Sequence, residues 1–146
     1  MNIAARLAML GAGALVGAPA LAEPPKAGPA VWECKVERRI ENGKTTMYDE
    51  KMRDSAAERL VFVAETAGNR GCLLDSARAE RCSVLFTGAA ESGGMLRLDR
   101  MDENHTLDLV NIFPASGRFI RIHGQTQWMG KSGDCVASKR LKVKLP

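Results

Sequence analysis

Residues 31–52 read VWECKVERRIENGKTTMYDEKM, and this stretch decides the fold. Trp32, Cys34, Val36 and Ile40 alternate with Glu33, Lys35, Glu37 and Arg39, the period of a half-buried strand, and only Arg38 breaks it. Asn42-Gly43 follows between two extended runs. The tight turn whose twist matches paired strands needs positive φ at both central residues, which makes Asn-Gly the strongest short hairpin signal. The second strand is expected over Thr45–Met52, with Tyr48 and Met52 on one face.

Downstream, Leu60–Glu65 (LVFVAE) is β-branched and aromatic enough for a core strand. Thr66–Gly71 contains a Gly-Asn-Arg-Gly turn. Val84–Phe86, Met95–Met101, Thr106–Phe113 and Arg118–Gln127 are then predicted strands, separated by the turn-rich runs GAAESGG, DEN and PASG. Single helical turns are expected at Arg53–Glu58 and Asp75–Glu80. The tail KRLKVKL sets Leu141, Val143 and Leu145 against basic residues and reads as a closing or edge strand, its lysines discouraging further pairing. The predicted fold class is all-β, a small antiparallel β-barrel or sandwich of about seven or eight strands. Its expected core contains Trp32, Val36, Leu60, Phe62, Val84, Phe86, Leu96, Leu98, Leu107, Leu109, Ile120, Ile122, Leu141 and Val143.

Upstream, residues 1–22 have the three parts of a secretory signal: a positive start ending at Arg6, the uncharged run LAMLGAGALV, and Ala20-Leu21-Ala22 after Pro19. The run from Leu7 to Ala22 is shorter than the roughly 20 apolar residues that span a bilayer. Cleavage is expected after Ala22, leaving a Pro-rich leader over 23–30 and a single β-rich domain over 31–146. No cysteine sits at the cleavage site for lipidation, so no stable membrane anchor is expected, and the short Ala/Gly-rich signal points to the periplasm. Without Arg6 the 21 basic residues become 20, against 17 acidic ones, a net charge of about +3. That mild excess carries no nucleic-acid signature.

The four cysteines are an even set in an exported chain, hence two disulfides. The closest pair is ten positions apart, so neither a zinc ribbon nor a C-x-x-C redox motif exists. Cys72 and Cys82 flank the short polar run LLDSARAER and are expected partners, which leaves Cys34 for Cys135.

Catalytic constellations are thin: there is no G-x-S-x-G, no phosphate-binding Gly loop and no H-E-x-x-H. The two histidines are His105 and His123. His105 lies in the acidic stretch DRMDENHTLD, where Asp102-Glu103-Asn104 has the composition of a solvated hairpin turn. Alternation puts His105 with Leu107 and Leu109, and Asp108 on the other face. In RFIRIHGQTQW, Ile120, Ile122 and Trp128 share one face, read as apolar and core-facing, while Phe119, Arg121, His123 and Gln125 share the other. That second face is the candidate binding surface, with Trp128 near its end. Aromatic and Arg side chains dominate binding hot spots, and an imidazole there would make binding pH-sensitive. No cofactor and no metal is expected. Met101 and Met129 read as core filling, and the basic tail as a solvated edge.

In layout alone (signal, aromatic-x-Cys first strand, β-meander, late Cys) the chain resembles small periplasmic lysozyme inhibitors and lipocalin-like barrels. The resemblance implies architecture and no site residues. An inhibitor of a basic enzyme should be acidic, whereas this chain is slightly basic. The expected function is therefore a small, exported, non-catalytic binding or interaction module for a periplasmic protein or small ligand. The alternative is a small periplasmic enzyme, or a lipocalin-like ligand-binding barrel, using the Arg121/His123 face.

Overall fold

The computed structural model describes residues 28–48, 58–75, 78–139, 143 and 145–146. The expected signal, most of the leader, the helical turn before Glu58, Met52 and Leu141 lie outside the described residues. Strand β1 runs Ala30–Glu41 and β2 Lys44–Met47, joined by Asn42 (φ 49°) and Gly43 (φ 75°), the double positive-φ turn that the Asn-Gly pair predicts. The remaining strands are β3 (Arg59–Glu65), β4 (Arg70–Asp75), β5 (Arg78–Phe86), β6 (Gly88–Ser92), β7 (Met95–Met101), β8 (Leu107–Phe113), β9 (Arg118–Gly124) and β10 (Trp128–Ser138).

All pairings are antiparallel, in the order β5-β4-β3-β1-β10-β9-β8-β7-β6, with β2 paired to β1. The nine ordered strands form a nearly closed barrel. Its two ends meet where Leu98 of β7 covers Gly71 of β4 so closely that a methyl on Gly71 would come within 2.7 Å of the leucine. Near the same seam the Asn69 Oδ1 accepts from the Ala89 N–H at 2.9 Å. The interior is filled. Phe62 packs between Phe86 and Phe119 at centroid distances of 6.4 and 6.2 Å, among fully buried Val36, Leu98, Val110 and Ile112.

Both expected disulfides form. Cys34 and Cys135 are direct partners in the β1/β10 ladder, and Cys72–Cys82 staples β4 to β5. Two disulfides are consistent with an oxidising, exported compartment. No helix among the described residues is long and apolar enough to cross a membrane.

Several local expectations are corrected. The described residues of Asp75–Glu80 are strand and not a helical turn: Asp75 ends β4 and pairs with Arg78, which opens β5. The reason is that Cys72 and Leu74 are buried in one cluster and Leu73 in another, so the segment follows the period of a strand. The run GAAESGG contributes β6 before its Gly93-Gly94 turn. Strand β10, WMGKSGDCVAS, looks like loop composition, yet its glycines serve the ladder. Opposite the bulge after Val36, a Cβ on Gly133 would lie 1.9 Å from the Lys35 carbonyl oxygen.

The place beside β1 is filled by β10, and the described residues of the tail, Lys139, Val143 and Leu145, belong to no strand. Leu145 is buried instead in a second cluster with Val31, Val63, Cys72 and Leu74, and Val143 packs against it. The Pro146 carbonyl accepts from Arg70 Nη1 at 2.7 Å, which anchors this end of the chain over β4. Val143 and Leu145 thus cover apolar side chains on the side of the sheet opposite the barrel interior.

Strands β8 and β9 face the reverse of the expected way. Asp108, Val110 and Ile112 are buried and Leu107 and Leu109 only half-buried; Phe119 and Arg121 are buried, while Ile120 and Ile122 are 44% and 38% exposed. Both strands carry apolar residues on both faces, so alternation alone does not choose between them. The choice falls to the aromatic ring: Phe119 fits against Phe62, where an isoleucine would leave a void.

Candidate functional site

One end of the barrel gathers the polar residues of β8, β9 and β10. Residues directly opposite in antiparallel strands share a face. The ladder sets Asp108 against His123 and His123 against Met129; one step inward it sets Arg121 against Lys131 and Lys131 against Arg39. Three cations therefore stand side by side across β9, β10 and β1. Such a row costs stability unless each charge is compensated.

Each one is. Arg121 donates from Nε to Oδ1 of Asp108 at 2.9 Å and from Nη2 to Oδ2 at 2.6 Å. Lys131 Nζ donates to Glu58 Oε1. Arg39 Nη2 donates to Glu41 Oε2 at 2.8 Å, and the charge of Glu41, helped by a hydrogen bond with Tyr48, raises the Arg39 pKa further above its ordinary value. Asp108 has no solvent exposure, so its charge depends on the two-pronged guanidinium contact.

His123 stands beside this pair. Its Nδ1 lies 3.5 Å from Asp108 Oδ2, a distance for charge attraction but without hydrogen-bond geometry, and it has no hydrogen-bond partner. Both carboxylate oxygens already accept from Arg121. The imidazole is about 40% exposed and walls two clefts. The first, of about 150 Å³, is lined by Arg121, His123, Met129 and Lys131. The second, of about 170 Å³, shares His123 and Met129 with the first and is lined further by Glu41, Asn42, Gln127 and Trp128. Gly124 makes this corner possible: at φ 152° it sits where a Cβ would lie 2.1 Å from the Gln127 carbonyl oxygen.

Of the candidate binding residues, the structure brings Arg121, His123 and Trp128 to this end of the barrel and leaves exposed Gln125 in the turn between β9 and β10. Phe119 is not on an exposed face; it belongs to the core. Trp128, 47% exposed, opens β10 and borders a separate outer groove of about 360 Å³ with Ile40, Ile120 and Ile122. Sequence reasoning missed Asp108, Met129, Lys131 and Glu58. The parity of Asp108 with Val110 and Ile112 was the one available signal that a carboxylate turns inward.

His105 is a separate matter. It sits at φ 60° in an exposed turn where Asp102 Oδ1 accepts from the Asn104 and Thr106 N–H groups, both at 2.9 Å. Those bonds, the one from Thr106 foremost, hold the Asp102 carboxyl below its ordinary pKa. The segment is the solvated turn its composition suggested. Among the described residues no group of three or more His, Cys, Asp or Glu side chains is placed to hold a metal ion. No family model matches this chain, and neither the curated proteins nor the solved structures hold a match for it.

Proposed function

We infer that the chain is a small, exported, non-catalytic binding module that works in the periplasm and contacts its partner or ligand with the His123 end of the barrel. The observation that supports this most is the shared wall: His123 and Met129 separate two clefts that together run from Arg121 to Trp128. The interior is occupied by Phe62, Phe86 and Phe119, so a ligand would meet the mouth of the barrel and not a lipocalin-like lumen. An imidazole beside a buried carboxylate is also the start of a catalytic dyad. Here the carboxylate is committed to Arg121, which favours binding over general base chemistry.

The test is capture from periplasmic extract by the oxidised chain lacking residues 1–22, compared with its His123→Ala and Trp128→Ala variants. The expected result is capture lost in both variants at unchanged melting temperature. Capture indifferent to both substitutions would remove the barrel mouth from the reading.

A further inference from the structure

The cleft between β9 and β10 has an unusual wall. Its three polar side chains, Arg121, His123 and Lys131, all carry N–H groups, and the fourth wall residue is the thioether of Met129. No carboxylate lines it. The acids that balance its cations, Asp108 and Glu58, are not wall residues. We propose that this cleft is an oxyanion site, taking the carboxylate or phosphate end of a small ligand. The proposal rests on the preceding reading of the barrel mouth and names the chemistry that mouth selects.

Three features carry it. First, the donors are held in place before any ligand arrives. Asp108 grips Arg121 through Nε and Nη2, which fixes the guanidinium plane and leaves the Nη1 edge unused by that carboxylate. Glu58 similarly holds Lys131, whose side chain is only 11% exposed. Pre-positioned donors lose little conformational freedom on binding, so more of the contact energy appears as affinity. Second, the ladder sets Lys131 directly opposite Arg121, so N–H donors from two strands stand side by side and one acceptor in front of them can meet both. Third, the volume of about 150 Å³ suits a headgroup and not a whole metabolite. The body of the ligand would continue into the adjoining cleft of about 170 Å³, over Met129 and toward Trp128, where the one lining carboxylate, Glu41, is already paired with Arg39. Thioether and indole both favour a planar, apolar group there.

The chain has two histidines, and they make the experiment simple. The imidazole ring resonances of the oxidised protein lacking residues 1–22 are followed by NMR during titration with four probes: benzoate, phenyl phosphate, benzyl alcohol and benzylamine. His105, in its exposed turn, is the internal control. The expected result is saturable movement of the His123 signals with benzoate or phenyl phosphate, none of the His105 signals, and binding weaker by about tenfold or more for benzyl alcohol. Which anion saturates at lower concentration tells a carboxylate ligand from a phosphate one. Lys131→Gln should weaken the anion by about tenfold while the remaining spectrum stays unchanged.

Equal binding of benzyl alcohol and benzoate at His123 would overturn the oxyanion assignment and leave the mouth as a binding site of other chemistry. Preferential binding of benzylamine would overturn the assignment too. If no probe moves His123, the oxyanion site is refuted, and the capture experiment judges the binding-module reading separately.

Discussion

The carboxylate of Asp108 on β8 and the guanidinium of Arg121 on β9 make two parallel hydrogen bonds, of 2.9 and 2.6 Å, where Asp108 has no contact with solvent. A buried pair of this kind contributes little net stability, because desolvation offsets most of its attraction. Its consequence appears when one partner is removed.

Arg121→Leu should therefore cost about 3–5 kcal/mol, since it strands a carboxylate inside the barrel. Asp108→Leu should cost a similar amount by stranding the cation. The double variant should lose clearly less than the two single losses added together, because neither charge is then left alone. Denaturant midpoints of the four proteins measure the coupling. Simple additivity would show that the two side chains do not depend on each other.

Leu145 is buried against the outer side of the sheet. Leu145→Ala should cost about 2 kcal/mol through lost contact with Val63, Cys72 and Leu74. Val136, 64% exposed, gives the control: Val136→Ala should change stability by under about 0.5 kcal/mol. Thermal melting of both variants reads the difference, and equal effects would remove the tail from the packed structure.

The two disulfides close loops of very different length, with sequence separations of 101 and 10. Loop-closure entropy in the unfolded chain makes the long one worth about 4–5 kcal/mol and the short one about 3 kcal/mol. Replacing Cys34 and Cys135 together with Ala should lower the melting temperature more than replacing Cys72 and Cys82. The reverse order would mean that burial of the Cys72–Cys82 bridge outweighs chain entropy.

Asp102 sets an acid dependence. Its folded-state pKa lies below the ordinary 3.8, so the unfolded chain takes up a proton there first. Its contribution is fully present above that value and is lost as pH falls through the lower, folded-state value. Asp102→Asn keeps an acceptor oxygen but no titrating group. Stability of the variant should thus fall less steeply than that of the parent as pH drops below about 4. Identical acid limbs would rule out the carboxyl as a contributor.

Much of the architecture is legible in local patterns. The Asn42-Gly43 turn requires positive φ twice, so its chemistry names the hairpin without any tertiary contact. The disulfide pairing follows from four cysteines and one short polar excursion. The site is less legible. His123, Arg121 and Trp128 stand out as residue types, but their common location depends on a corner at Gly124, and Asp108 resembles an ordinary polar position in an apolar strand.

By itself, then, the sequence determined the antiparallel all-β class, the first hairpin, both disulfides and the solvated turn around Asp102, because each is governed by neighbouring residues or by counting. Only the tertiary structure decided which faces of β8 and β9 turn inward, that β10 and not the tail closes against β1, and that Arg39, Lys131 and Arg121 form one row. A strand apolar on both sides has two allowed facings that differ by a single residue of register. The energy separating them is the fit of Phe119 against Phe62 and of Arg121 on Asp108, contacts that exist only after distant strands have met.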